Sequence, residues 1–192
     1  ELPILHTAGG LVGGDQLKMR FVAEKNTRCL LTNVAAQKIY GSVGRSLIQP
    51  EGQWAIQKCQ FDIHSGSDVE WLPQEMIVFS NGLFEQNVYV QLSDSSSFLS
   101  AEVVRLGRTA SNEKLDSGCW RSRLEICRNH SSEKIWEYVD QMELCGDALN
   151  SKHGMANQPV VGSLIWVAPQ SLAIKERENL IKNSDMLIFN SS

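Results

Sequence analysis

The 192-residue sequence predicts a mainly β protein. Apolar and polar residues alternate with a period of two through most of its apolar stretches, the pattern of half-buried strands. Turn signals recur about every 11 to 15 residues over most of the chain, the spacing expected of a mainly antiparallel architecture. A glycine-rich block near the start, His6-Thr7-Ala8-Gly9-Gly10-Leu11-Val12-Gly13-Gly14-Asp15, leads into a strand pattern rather than a helical one.

Four glycines in six positions predict a tight, side-chain-free crossing. Gly9 and Gly14 have the spacing of a phosphate-binding loop, but Asp15 stands where that loop needs lysine, and a carboxylate there repels phosphate. No Gly-x-Gly-x-x-Gly register fits either. The block therefore reads as a β-corner between two strands. The alternative is that Asp15 touches a cation or a partner.

The elements follow in order. Leu17, Met19, Phe21 and Ala23 mark one face of a strand, Asn26 turns, and 27–32 is a shorter, more buried strand. Residues 33–40 follow neither period. Gly41, Gly44 and Pro50-Glu51-Gly52 mark loop and turn. Residues 54–63 form a strand with a change of phase. Trp54 and Ile56 share one face while Cys59, Phe61 and Ile63 take the other, which predicts a bulge near Gln57-Lys58. Ser65-Gly66-Ser67 turns, 69–72 is a strand ended by Pro73, and 75–79 resumes. Asn81-Gly82 turns before the alternating Val88, Val90 and Leu92. After a turn at 93–97, strand continues over 98–106. Trp120, Ser122, Leu124 and Ile126 form an inward face opposite Arg121, Arg123 and Glu125. Residues 135–144 fit a helix or a strand, 146–159 read as loop, and 160–167 as strand. A helix is predicted only over 171–182, with Ser171 as its N-cap.

Composition narrows the function. Hydrophobic content of 42% and charged content of 21% are those of a globular domain. A net charge of −4 argues against nucleic-acid binding and gives no support for an anionic membrane surface. No apolar run approaches the roughly 20 residues of a spanning helix. The chain opens on Glu1 without a signal-peptide pattern and reads as a single domain over 1–192, truncated at both ends. Cys29, Cys59, Cys119, Cys127 and Cys145 are odd in number and widely spaced, which favours unpaired thiols in the cytoplasm.

Residues with chemistry are scattered. His6, His64, His130 and His153 form no ligand pair, and no nucleophile motif occurs. Asp68, Glu70 and Glu75 surround Trp71 and Pro73, either as a solvated strand face or as acids lining a polar passage open to a cation. Arg108 is placed to pair with Glu102, Glu113 or a partner's carboxylate.

Taken together, 4–15, Ala35-Ala36-Gln37-Lys38-Ile39-Tyr40, Glu70-Trp71-Leu72-Pro73-Gln74-Glu75, Leu106-Gly107-Arg108-Thr109-Ala110 and the Gly118 turn resemble the UreD family of urease accessory proteins, called UreH in some organisms. The order of motifs matches from residue 2 to about residue 128. The sequence departs from the family pattern at Leu31-Thr32-Asn33-Val34, at Gly41 and at Glu113.

The resemblance implies a β-helix-like stack of antiparallel and mixed strands with one or two short helices. It implies a cytoplasmic chaperone, not an enzyme, that helps insert nickel into apo-urease with UreF and the GTPase UreG. In this reading Gly9, Gly10, Gly13, Gly14, Trp71, Pro73 and Arg108 are structural positions. Asp15, Glu70 and Glu75 are transient contacts for nickel passing through, and no cofactor is tightly bound. A docking module without a metal role and a hydrolase on a β scaffold are the alternatives.

Overall fold

The computed structural model describes residues 1–130 and 133–189. Its strands form two sheets. One contains β1 (Leu2–Ile4), β3 (Arg28–Asn33), β4 (Gln37–Ile39), β6 (Asp68–Trp71), β7 (Met76–Val78), β9 (Ser97–Leu106) and β12 (Val160–Val167). The other runs β11 (Glu133–Leu144), β10 (Cys119–His130), β8 (Leu83–Ser93), β5 (Ala55–Ile63) and β2 (Gln16–Ala23). Helix α1 is Asp147–Asn150 and α2 is Ile174–Phe189.

The mainly β character with two helices is as expected, but the strand pairing corrects the antiparallel expectation. Among the described residues, β10–β11 and β9–β12 are antiparallel, and the other eight pairings are parallel. The physical reason lies in where each turn leads. From β2 to β10 most turns carry the chain from one sheet to the other instead of back along its neighbour. Each sheet packs on the other with one face only, so its parallel strands keep the period-two alternation that antiparallel sheets usually show.

The turns stack as the strands do. Asn26 N–H donates to Ser65 O (3.1 Å), Gly66 N–H to Ser95 Oγ (2.9 Å) and Ser97 N–H to Ser67 O (2.9 Å). Ser67 is fully buried, with Oγ donating to Glu24 O (2.6 Å) and accepting from Thr27 N–H (3.1 Å). These bonds satisfy backbone groups that a buried corner would otherwise leave unpaired.

Three local readings change. The bulge expected near Gln57-Lys58 is absent: β5 pairs in unbroken register with β2 and β8, and Ala55, Gln57, Cys59, Phe61 and Ile63 all face inward and are buried. Gln57 is a buried polar residue, and Trp54 precedes the strand. A register shift occurs instead between Ile126 and Cys127 of β10. Residues 146–159 contain the one-turn α1. Helix α2 starts after Ala173, whose N–H donates to Glu176 Oε2 (3.3 Å), so its cap lies two residues beyond Ser171. The ambiguous stretch 135–144 is strand, within β11, and β12 has the expected bounds.

Buried side chains gather in two clusters. One holds Phe61, Ile63, Trp71, Val90, Leu92, Phe98 and Ile126, with Phe21 stacked on Phe61 at 5.0 Å. The other holds Leu11, Ile39, Val78, Phe84, Val104, Trp120 and Leu144.

Candidate functional site

Between the two clusters lies a polar layer, and strand periodicity places it. On β5, Gln57 falls between Ala55 of one cluster and Cys59 of the other. Gln86 occupies the same level between Phe84 and Val88 on β8, and Ser122 lies between Trp120 and Ile126 on β10. Gln57, Gln86 and Ser122 are in register across the three strands. In the facing sheet, Glu102 of β9 is paired with Ser163 of β12, between Phe98 and Val104. Each strand thus changes from apolar to polar and back at one height.

The layer is hydrogen-bonded across the gap between the sheets. Gln37 Nε2 donates to Gln57 Oε1 (2.6 Å) and Gln86 Nε2 to Glu102 Oε1, while Gln57 Nε2 donates along its own strand to Cys59 Sγ (3.5 Å). Glu102 is half-buried as a residue but its carboxyl is enclosed, and this burial pushes its pKa up against the lowering effect of the Gln86 bond. Gln86 Oε1 and Trp120 Nε1 are buried without a hydrogen-bond partner among the described residues. They border a cavity of about 100 Å³ that Glu102, Ser122, Asp140 and Ser163 also line. A small polar guest that both donates and accepts, such as water, would supply what these two atoms lack. The cavity is large enough for water or a cation with part of its hydration shell.

The residues singled out in the sequence lie elsewhere. Asp15 closes the turn at the end of the glycine block: its Oδ2 accepts Val12 N–H (2.9 Å) and its own N–H donates to Val12 O (3.0 Å). Glu70 is exposed on β6. Glu75 is half-buried and pairs with Arg105 at 3.5 Å. The structure does not bring these three carboxylates into one ligand cluster; among the described residues the metal-type grouping is Cys119, Glu143 and Cys145.

The positions expected to be structural are placed as follows. The glycine block crosses β4 closely: Leu11 N–H donates to Lys38 O (2.8 Å) and Tyr40 N–H to Leu11 O (2.9 Å). A Cβ on Gly10 would lie 2.6 Å from Lys38 O, and one on Gly13 would lie 2.8 Å from Gln53 O. Gly9 and Gly14 have φ of 72° and 94°. Trp71 is buried against Phe21 and Phe61. Pro73 sits in the break between β6 and β7, which continuous β9 spans. Arg108 pairs with Glu113, lies 4.6 Å above the Phe79 ring, and holds the Glu113 carboxyl below its usual pKa.

Two features of the structure, the Gln86–Glu102 contact and the Arg128 cluster, are not among the sequence expectations. Gln86 and Glu102 are polar residues at inward positions of alternating strands, a signal that was present in the pattern. Arg128 is buried and gathers carbonyls from separate segments: Ser93 O (2.7 Å), Asp94 O (3.2 Å), Ser96 O (2.8 Å) and Ala168 O (3.2 Å), with Glu137 as its counter-ion. Those partners are distant in sequence, so no local pattern announces them.

No helix among the described residues is long and apolar enough to cross a membrane. Residues 1–190 match the family model of the UreD urease accessory protein. The chain is 55% identical over 183 residues to the urease accessory protein UreD of Prochlorococcus marinus (strain MIT 9303), covering 95% of this chain and 61% of that protein. It is 57% identical over 176 residues to UreD of Synechococcus sp. (strain WH7805), covering 90% of this chain and 55% of that protein. The chain thus spans less than two thirds of the length of these relatives. With a family match running almost end to end, the chain belongs to the UreD urease accessory protein family.

Proposed function

We propose that the chain acts in urease maturation as a non-catalytic chaperone that helps insert nickel into apo-urease, working in the cytoplasm with UreF and the GTPase UreG. The observation that carries this reading is the family match over residues 1–190. The polar layer supports a conduit role for the interior. A divalent cation accepts oxygen ligands, and Glu102 with the serines, Gln86 and Asp140 around the cavity offers them between two apolar walls. Asp15, Glu70 and Glu75 act in this scheme as separate single-carboxylate contacts, because nothing gathers them into one site. No resident cofactor is part of the proposal, and nickel is cargo. The unpaired cysteines suit a reducing compartment.

Co-purification tests the assembly. Tagged chain, expressed with apo-urease, UreF and UreG, is expected to retain all three. Retention of none of them would remove the chaperone reading. Binding of urease together with full activation by an Asp15→Asn, Glu75→Gln, Glu102→Gln variant would leave docking alone and remove the nickel route.

A further inference from the structure

We propose that Cys119, Glu143 and Cys145 bind one thiophilic divalent cation, of the zinc or nickel kind, on the outward face of the β10–β11 ladder. The two strands run antiparallel, with Trp120 opposite Leu144 and Arg121 opposite Glu143. Trp120 and Leu144 point into the core, so alternation puts Cys119, Arg121, Glu143 and Cys145 on the other face. The two Sγ atoms and a Glu143 oxygen lie within 4.8 Å of one another. Cys145 Sγ is 3.5 Å from Glu143 Oε1. A tetrahedral ion with metal–sulfur bonds of about 2.3 Å separates its ligand atoms by roughly 3.5–3.8 Å. The donors therefore need shifts of about an ångström or less to close on an ion.

The surroundings hold the ligands and balance their charge. Cys119 N–H donates to Gly82 O (2.8 Å), and Ala148 N–H donates to Cys145 O (3.1 Å), so both ligand backbones are anchored. Glu143 Oε2 accepts from Arg121 Nε (2.8 Å), which orients the carboxylate and leaves Oε1 toward the thiols. Arg121 is itself fixed over the Trp54 ring at 4.1 Å. On binding, the Cys119 and Cys145 thiols each lose a proton to solvent, two sulfur–metal bonds and one oxygen–metal bond form, and no electron is transferred. The site then carries one net negative charge, which Arg121 offsets. Cys119 is buried, whereas Cys145 is half-buried and Glu143 exposed, so the ion enters from the Glu143 side and keeps a position open there. Paired thiolates select soft and borderline ions over magnesium or calcium. The site stands apart from the polar layer and does not depend on the maturation reading.

The test is cobalt titration of the full chain, isolated under reducing conditions, stripped with a chelator and kept anaerobic. One Co²⁺ per chain with a thiolate-to-cobalt charge-transfer band, displaced by Zn²⁺, is expected. Cys119→Ser and Cys145→Ser each remove the band. Glu143→Gln weakens binding by about 10-fold or more, at least what loss of an outer partner costs. Cys29→Ser leaves stoichiometry and band unchanged. Far-ultraviolet circular dichroism of Cys145→Ser, altered at a half-buried position, shows whether the loss occurs in a folded chain. Wild-type protein without the band, or a band surviving in the Cys119→Ser, Cys145→Ser double variant, overturns the proposal. So does a Cys119–Cys145 disulfide that persists through the reducing isolation.

Discussion

Gln86 and Glu102 meet between the two sheets, the Gln86 amide donating to a Glu102 carboxyl that is shut away from solvent. Burial raises the Glu102 pKa above its unfolded value, so the folded state holds its proton more tightly. The stability this group contributes is fully present below the unfolded pKa and is lost as pH rises through the raised folded pKa. Glu102→Gln removes that loss. Its melting temperature is expected to exceed wild type by about 2–4 °C at pH 7.5, corresponding to about 1 kcal/mol, with the difference shrinking toward pH 4. Melting curves differing by the same amount at both pH values would contradict the buried-acid account.

Arg128 ties four backbone carbonyls and Glu137 together from a buried position. Lysine keeps the charge but lacks the planar fork that reaches several acceptors at once. Arg128→Lys is expected to lower unfolding free energy in urea by about 2–4 kcal/mol, since it strands buried acceptors and part of an ion pair. A loss below about 1 kcal/mol would mean that the carbonyls find other donors.

The glycine block separates two kinds of cost. At Gly10, Ala would press its Cβ to 2.6 Å from the Lys38 carbonyl oxygen, and backbone must move. At Gly9, φ is 72° but a Cβ would meet open space. Gly10→Ala is expected to cost about 2 kcal/mol or more, and Gly9→Ala about 1 kcal/mol, the conformational term alone. Equal losses in denaturant titrations would refute the close crossing against β4.

Cys59 is buried, and desolvation pushes its thiol up to about 12 despite the Gln57 bond. The thiolate is the reactive form. Brief alkylation of the native chain at pH 8 is expected to modify half-buried Cys29 and spare Cys59, read by peptide mass spectrometry. Labelling of both at similar rates would place Cys59 outside the core.

Strand existence was well marked in the sequence because each sheet exposes one face, and β12 shows this from Val160 to Val167. Strand direction was not. The turn at Asn81-Gly82 has Asn81 at φ 62° and suits a hairpin by residue type, yet it joins β7 of one sheet to β8 of the other. Local turn chemistry does not encode which sheet the next strand enters. The polar layer was partly visible. Gln57 breaks the apolar rhythm of β5, and the break invited a bulge because a buried glutamine is the rarer event. It is stable here because Gln37 supplies a partner 20 positions away in sequence. In sequence Glu102 stands out only as a partner for Arg108, which pairs with Glu113 instead. Cys119 and Cys145 looked isolated because their contact depends on the β10–β11 register.

The role proposed for this chain in urease maturation is read out by urease activity. Cells carrying apo-urease, UreF and UreG in nickel-containing medium would be assayed with and without the full chain. Active, nickel-loaded urease is expected only when the chain is present. Equal activity and nickel content in its absence would contradict that role.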